Sequence, residues 1–389
     1  MSEDKKSSRP KGQGKEAQPT KTALRVARAQ VAVPHVGLAF NHKHHIFIAK
    51  LKRGEIWALN QLSFNAKTAI TPLFEMWPPN PGTKKKPGKN LTEHTNDLMQ
   101  LVTTEWTGLP CYVDTQYLVT SGAPSPSAVE TVFGIARNAN VVAIPVTSLK
   151  FTQVFQQAIA AVIATDGRGV MFRLTLDLFN APQTLGPYLD GLAAFLVVNR
   201  NQIDILIDLQ YRPNVIEVQQ MGAYCLNSLP FMNDWRTVTL AAGCFPASIS
   251  NEPTGQWIDF DRSDWRGWNS IIAQRAAANV RVPSYGDYGV RCGGEPLVIP
   301  NAPAPNIRYT DSQMIRVRKG PKAPGAMRAI CVSLMSQPYF RGAQFSQGDA
   351  DMAQKAATTG LENGSPEQWI QWCTNHHLEL TASEIQSLP

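Results

Sequence analysis

The chain has 389 residues, 43% of them hydrophobic, with 28 prolines and 27 glycines, which fits a globular protein with ample core material and many short connections rather than a disordered or fibrous one. No apolar run approaches the roughly 20 residues that span a bilayer, and the N-terminus lacks an apolar signal region, so a reducing cytoplasm with no membrane partner is the expected setting. The net charge of +7 points toward nucleic acid, but residues 1–30 hold eight Lys or Arg against three acids and supply +5 of it (8 − 3), leaving a nearly neutral body.

Residues 1–30, rich in Lys, Ser, Gly and Gln, are expected to form a disordered basic head. His42, His44 and His45 have the composition of a metal tract, but they fall on the side of the first strand opposite the expected site and are set aside. Apolar strand-like runs then recur eight times, over 45–51, 69–75, 110–115, 140–146, 169–177, 203–209, 236–243 and 281–289. Helical patterns fill most gaps, over 91–104, 126–138, 149–164, 185–198, 214–229 and 263–278, with only a short helix at 56–63. In the Pro/Gly-rich stretch 78–90, Lys84, Lys85, Lys86 and Lys89 read either as a phosphate-tracking run or as a solvated loop. Trp265 and Trp268, at i and i+3, read as packing residues rather than a base-stacking platform.

Strand then helix, repeated about eight times with continuously apolar strands, predicts an α/β fold: a (β/α)8 TIM-like barrel over residues 31–300. No GxGxxG follows the first strand, which removes the main argument for a dinucleotide fold. Residues 301–389, with a strand at 313–318 and helices at 326–337, 348–358 and 366–374, form a C-terminal α+β extension expected to close the barrel mouth. Six singly spaced cysteines, with no CxxC, exclude a disulfide scaffold and a structural zinc site.

A barrel of this kind places its site at the C-terminal strand ends. Those ends carry Lys50 and Lys52, Glu75, Asp114, Arg173 with Asp177, Asp208 and Asp287. Buried charges must pair with each other or with a ligand. Three readings are open: a divalent metal, Mg or Mn, held by Glu75, Asp114, Asp208 and Asp287; a salt-bridged plug of Lys50, Glu75, Asp114 and Asp208 inside the barrel; or side chains that alternate onto helix-facing positions. Gly286-Asp287-Tyr288-Gly289 reads as a tight turn aiming Asp287, or as an ordinary capped turn. In Asn375-His376-His377 adjacent side chains on a helix diverge by about 100°, so one histidine is expected at the site as acid or base and the other in packing. Asn375 would hydrogen-bond or cap. Arg308, Tyr309 and Arg316, with Arg318 and Arg341 nearby, suit a phosphate, or pair with Asp311, Asp349 and Asp351.

The order of several segments resembles the beta family of phage and bacterial proteins: Ala49-Lys50-Leu51-Lys52-Arg53-Gly54-Glu55, Ile70-Thr71-Pro72-Leu73-Phe74-Glu75, Ile205-Leu206-Ile207-Asp208-Leu209, Arg262-Ser263-Asp264-Trp265, Gly286-Asp287-Tyr288-Gly289, Arg308-Tyr309, Phe345-Ser346-Gln347-Gly348-Asp349 and Thr374-Asn375-His376-His377-Leu378. The likeness covers about residues 36–387 and leaves out the basic head. It implies a phage or defence-associated context and lends no activity. The expectation is therefore a cytoplasmic barrel that hydrolyses a phosphodiester or nucleotide with a bound metal. The alternative is a non-catalytic module that binds a nucleotide, a nucleic acid or a phage or defence-system protein, with the head as tether.

Overall fold

The computed structural model describes residues 39–79, 82–83, 86–294 and 303–389. The expected disordered head, residues 1–30, lies outside them, as do Lys84 and Lys85 of the basic run. Lys89 pairs with Asp97.

Eight parallel strands close into a barrel: β1 (His45–Lys50), β2 (Ile70–Glu75), β3 (Pro110–Asp114), β4 (Val142–Thr147), β5 (Val170–Thr175), β6 (Ile203–Tyr211), β7 (Thr237–Gly243) and β9 (Ser284–Asp287). A further strand, β8 (Trp257–Asp261), lies between β7 and β9 in the chain but outside the barrel. The closing seam joins the first and last barrel strands, with His45 opposite Tyr285 and Phe47 opposite Asp287. Helices α1 (Arg53–Asn60), α2 (Phe64–Ala69), α3 (Leu91–Glu105), α4 (Pro126–Asn138), α5 (Gln153–Asp166), α6 (Pro182–Phe195), α7 (Val215–Ser228) and α8 (Ser263–Ala277) connect the strands. Local chemistry fixes their ends: Asn90 and Glu93 cap α3 reciprocally, Ser125 and Pro126 start α4, and Thr152 starts α5. Gly167, with φ of 65°, ends α5 in the left-handed conformation.

Successive strand residues face opposite sides, which sorts every candidate. Ile46, Ile48, Leu73, Tyr112, Met171 and Leu206 pack inside the barrel. The next residue on the same face of each strand is Lys50, Glu75, Asp114, Arg173 or Asp208. The apolar interior therefore gives way to charge at the C-terminal end. Tyr288 belongs to the interior cluster, so Asp287, one residue earlier, faces outward toward the helices.

Beyond the barrel, β10 (Asn306–Thr310) and β11 (Met314–Lys319) join β8 in an antiparallel sheet ordered β8-β11-β10. Helices α9 (Ala326–Met335), α10 (Gln347–Ala357) and α11 (Pro366–Gln386) complete the extension around Ile307, Tyr309, Val317, Met327, Leu334 and Trp369. The sequence pattern finds β11 and the three helices but not β8 or β10. It also ends the last helix at 374, whereas α11 continues to Gln386 because buried Leu378, Leu380, Ala382 and Ile385 hold its second half in place. Asn375, His376 and His377 are consequently mid-helix. Trp265 and Trp268 pack as expected, both against Tyr285.

Candidate functional site

Arg173 sits at the centre of the charged layer. Its Nη1 donates to Glu75 Oε1 at 2.9 Å and to Asp114 Oδ2 at 2.7 Å. Its Nε and Nη2 both donate to Asp208 Oδ2, at 3.0 and 2.7 Å, and Nη2 also reaches the Tyr288 hydroxyl at 2.9 Å. That hydroxyl in turn donates to Asp208 Oδ2 at 2.7 Å. Three carboxylates thus share one guanidinium. Burial, and after it the neighbouring Asp114 and Asp208, raise the Glu75 carboxyl even though Arg173 pulls the other way. A salt-bridged layer thus forms around Arg173, without the Lys50 that the plug reading includes. Among the described residues no group of three or more His, Cys, Asp or Glu could hold a metal ion.

Above this layer, cations collect. Lys50 ends β1 at 8% exposure and makes no ion pair or hydrogen bond among the described residues, its Nζ lying 5.6 Å from the centre of the Trp77 ring. Burial first, then Arg291, lowers its pKa. Arg291, in the loop after β9, pairs with buried Glu55 at 3.0 Å. Arg308 donates to the Val290 carbonyl at 2.7 Å and lies over Phe245. Burial and Arg291 bring its pKa down to about 10. Exposed Lys52 is also within electrostatic reach of Arg291. A small, partly open cavity of about 10 Å³, the room of one water, is lined by Lys50, Glu75, Tyr288, Arg291, Cys292 and Thr374. Thr374 belongs to α11, so the extension reaches over this side of the mouth. Beside the cavity, Trp77 and Tyr117 stack at 3.8 Å. Glu75 Oε2, Trp77 Nε1 and Thr115 Oγ1 are buried with no hydrogen-bond partner.

Asp287 does not join Glu75, Asp114 and Asp208 as the metal reading expects. Its outward carboxylate meets His45 Nε2 at 2.9 Å, His377 Nε2 at 2.8 Å and the Gly289 amide at 3.0 Å. Burial alone would raise its pKa, but His45 and His377 hold it well below the usual carboxylate range. The other ring nitrogen of His377 pairs with Thr310 Oγ1 at 3.0 Å. Next to it, His376 joins Asp349 at 2.7 Å and the Thr310 carbonyl at 2.7 Å, stacked on Tyr309. Neither histidine faces the mouth. Tyr309 donates to Asp349 at 2.8 Å. Asn375 accepts from the Gly348 amide at 2.8 Å and donates to the Ala58 carbonyl at 3.0 Å. Arg316 pairs with Asp311 at 2.6 Å and with Asp259. These three expected ligand contacts therefore bind parts of the extension to one another and to α1.

Of the expected site residues, the structure brings together Lys50, Lys52, Glu75, Asp114, Arg173, Asp208 and Arg308. Strand-end reasoning missed Arg291, Trp77, Tyr117 and Tyr288, which lie one to four residues beyond the strands. Carrying the list into the loops would have found them. It also missed His45, whose role depends on a residue 242 positions away.

A family model described as Beta protein matches residues 46–382. No curated protein matches the sequence. Similar solved structures include triosephosphate isomerase from Bartonella henselae, with a TM-score of 0.32, 8% identity, and coverage of 62% of this chain and 91% of that one. A Pyrococcus furiosus chitinase domain gives 0.37, 8%, 64% and 84%, and a fungal beta-1,4-galactanase gives 0.35, 13%, 60% and 80%. Likenesses this distant bear on neither substrate nor reaction. No helix among the described residues is long and apolar enough to cross a membrane.

Proposed function

The chain belongs to the beta protein family, and on that premise we propose that the C-terminal mouth of its barrel binds a small phosphate-bearing molecule, a nucleotide among the candidates. The observation that carries this reading is the gathering of Lys50, Lys52, Arg291 and Arg308 around a mouth where Glu55 is the one carboxylate paired to them among the described residues. The carboxylates below are engaged by Arg173, and the attraction of Glu75 for Lys50 is outweighed by burial and Arg291. Like charges held together in a half-buried site are a strained arrangement that an anion relieves. The water-sized cavity means that binding moves Lys50 or Arg291 outward. Melting of the full-length protein and of a form lacking residues 1–30 should be followed with phosphate, pyrophosphate and AMP at fixed ionic strength. A rise with both forms, lost in an Arg291→Met, Arg308→Met double variant, is the expected result. No rise with either form, or a rise that survives the double variant, sinks the proposal.

Hydrolysis of a phosphodiester or nucleotide with Mg or Mn is the second reading, favoured by three acids at the C-terminal ends of β2, β3 and β6 that meet inside the barrel. Arg173 occupies the point on which Glu75, Asp114 and Asp208 converge. A divalent ion would bind there only by displacing the guanidinium. A Mg or Mn titration that leaves melting unchanged removes this reading and leaves anion binding intact.

A further inference from the structure

We propose that Lys50 is an amine nucleophile that condenses with the carbonyl of a small phosphorylated aldehyde or ketone. The substrate class rests on the phosphate reading above, while the amine chemistry rests on Lys50's own surroundings.

Lys50 stands at the C-terminal end of β1 on the barrel's interior face, in register with Glu75 of β2. It is 8% exposed and has no carboxylate, carbonyl or hydroxyl within bonding distance among the described residues. Its Nζ lies 5.6 Å from the centre of the Trp77 ring, and Glu75 also attracts it, less than burial and Arg291 oppose its charge. Other lysines are placed differently: Lys319 donates to the carbonyls of Ile249, Ser250 and Glu252, and Lys150 pairs with Asp177. A buried ammonium with no partner is expensive, and a neighbouring cation makes it more so. Both effects favour the neutral amine, which is the form that attacks a carbonyl; burial and then Arg291 lower the Lys50 pKa accordingly.

The same cavity supplies the other parts. Glu75 Oε2 lines it without a hydrogen-bond partner, so this carboxylate oxygen is free to take a proton from the amine and pass it on. Arg291, with Arg308 and Lys52 behind it, provides the phosphate contact. In the reaction, the amine lone pair forms a C–N bond to the carbonyl carbon as the C=O π pair moves to oxygen, and Glu75 transfers one of the nitrogen's protons to that oxygen. The nitrogen lone pair of the resulting carbinolamine then expels the hydroxyl, which leaves as water with the nitrogen's second proton carried across by Glu75, and the carboxylate is unchanged at the end. A ketone or aldehyde and an amine thus become an imine and one water, with no oxidant or reductant.

Pyridoxal 5′-phosphate is a suitable probe because it joins an aldehyde to a phosphate. The full-length protein would be incubated with it at neutral pH, reduced with borohydride and mapped by peptide mass. Lys50 should label at least about tenfold faster than any exposed lysine, and Lys50→Met and Lys50→Arg should abolish that adduct while leaving the others. Labelling spread over exposed lysines with Lys50 unmodified overturns the proposal. Pyridoxal without phosphate, and competition by inorganic phosphate, separate the two readings. Fast labelling of Lys50 that is indifferent to phosphate supports the amine and removes the anion site. Phosphate-dependent melting with Lys50 unlabelled does the reverse.

Discussion

Arg173 compensates three buried carboxylates from β2, β3 and β6. Arg173→Met keeps the volume but leaves those acids unpaired, and denaturant unfolding should report a loss of about 3–5 kcal/mol. Adding Glu75→Gln to that variant should recover part of the loss, since one negative charge fewer then needs a partner. A second residue gives a pH signature. Burial, and then the nearby Asp287, push the Asp264 carboxyl from its ordinary 3.8 up to about 7. A pKa higher in the folded state means that folding favours the protonated acid. The stabilisation is therefore full below about pH 4 and disappears as the pH rises through 7. Between pH 5 and pH 8 the wild type should lose about 2 kcal/mol more than Asp264→Asn does, measured by urea unfolding at both values; parallel slopes would count against it. At this scale the sequence was legible in part. Residue type and strand position sufficed to gather Lys50, Glu75, Asp114, Arg173 and Asp208. They did not separate Asp287 from that group, because a one-residue change in pleat phase decides which side a carboxylate faces.

Among the elements, α11 has the greatest influence on how the extension is held. Asn375 ties both α10, through the Gly348 amide, and α1, through the Ala58 carbonyl, to α11. Asn375→Ala leaves both backbone groups unpaired and should cost about 2–3 kcal/mol, with faster amide exchange across residues 347–357 as its local mark. Gly348 allows the close approach: a Cβ there would lie 2.1 Å from the Trp372 carbonyl oxygen. Gly348→Ala should therefore force α10 off α11 and show the same exchange pattern more strongly. The barrel strands were readable because helices bury them on both sides and their sequences are continuously apolar. β8, whose residues are half-buried or exposed, gives no such run. The length of α11 was underread because asparagine and histidine are indifferent helix formers whose conformation here is set by burial.

For the molecule as a whole, barrel and extension depend on each other. His377 of α11 completes the Asp287 contact on the barrel seam, and α11 packs along α1 and α2. A chain ending at residue 294 should accordingly show no cooperative unfolding transition and a weak near-ultraviolet dichroism signal, whereas an independently folding barrel would keep both. Closure of the seam also sets an order of events during synthesis. His45 is made 242 residues before the Asp287 it binds, and at the usual 5–20 residues per second that interval is roughly 12–50 s. Throughout it, β1 has left the ribosome with one lateral edge unpaired. The apolar stretch of β1 is thus the segment for which a nascent chain of this protein most needs a chaperone.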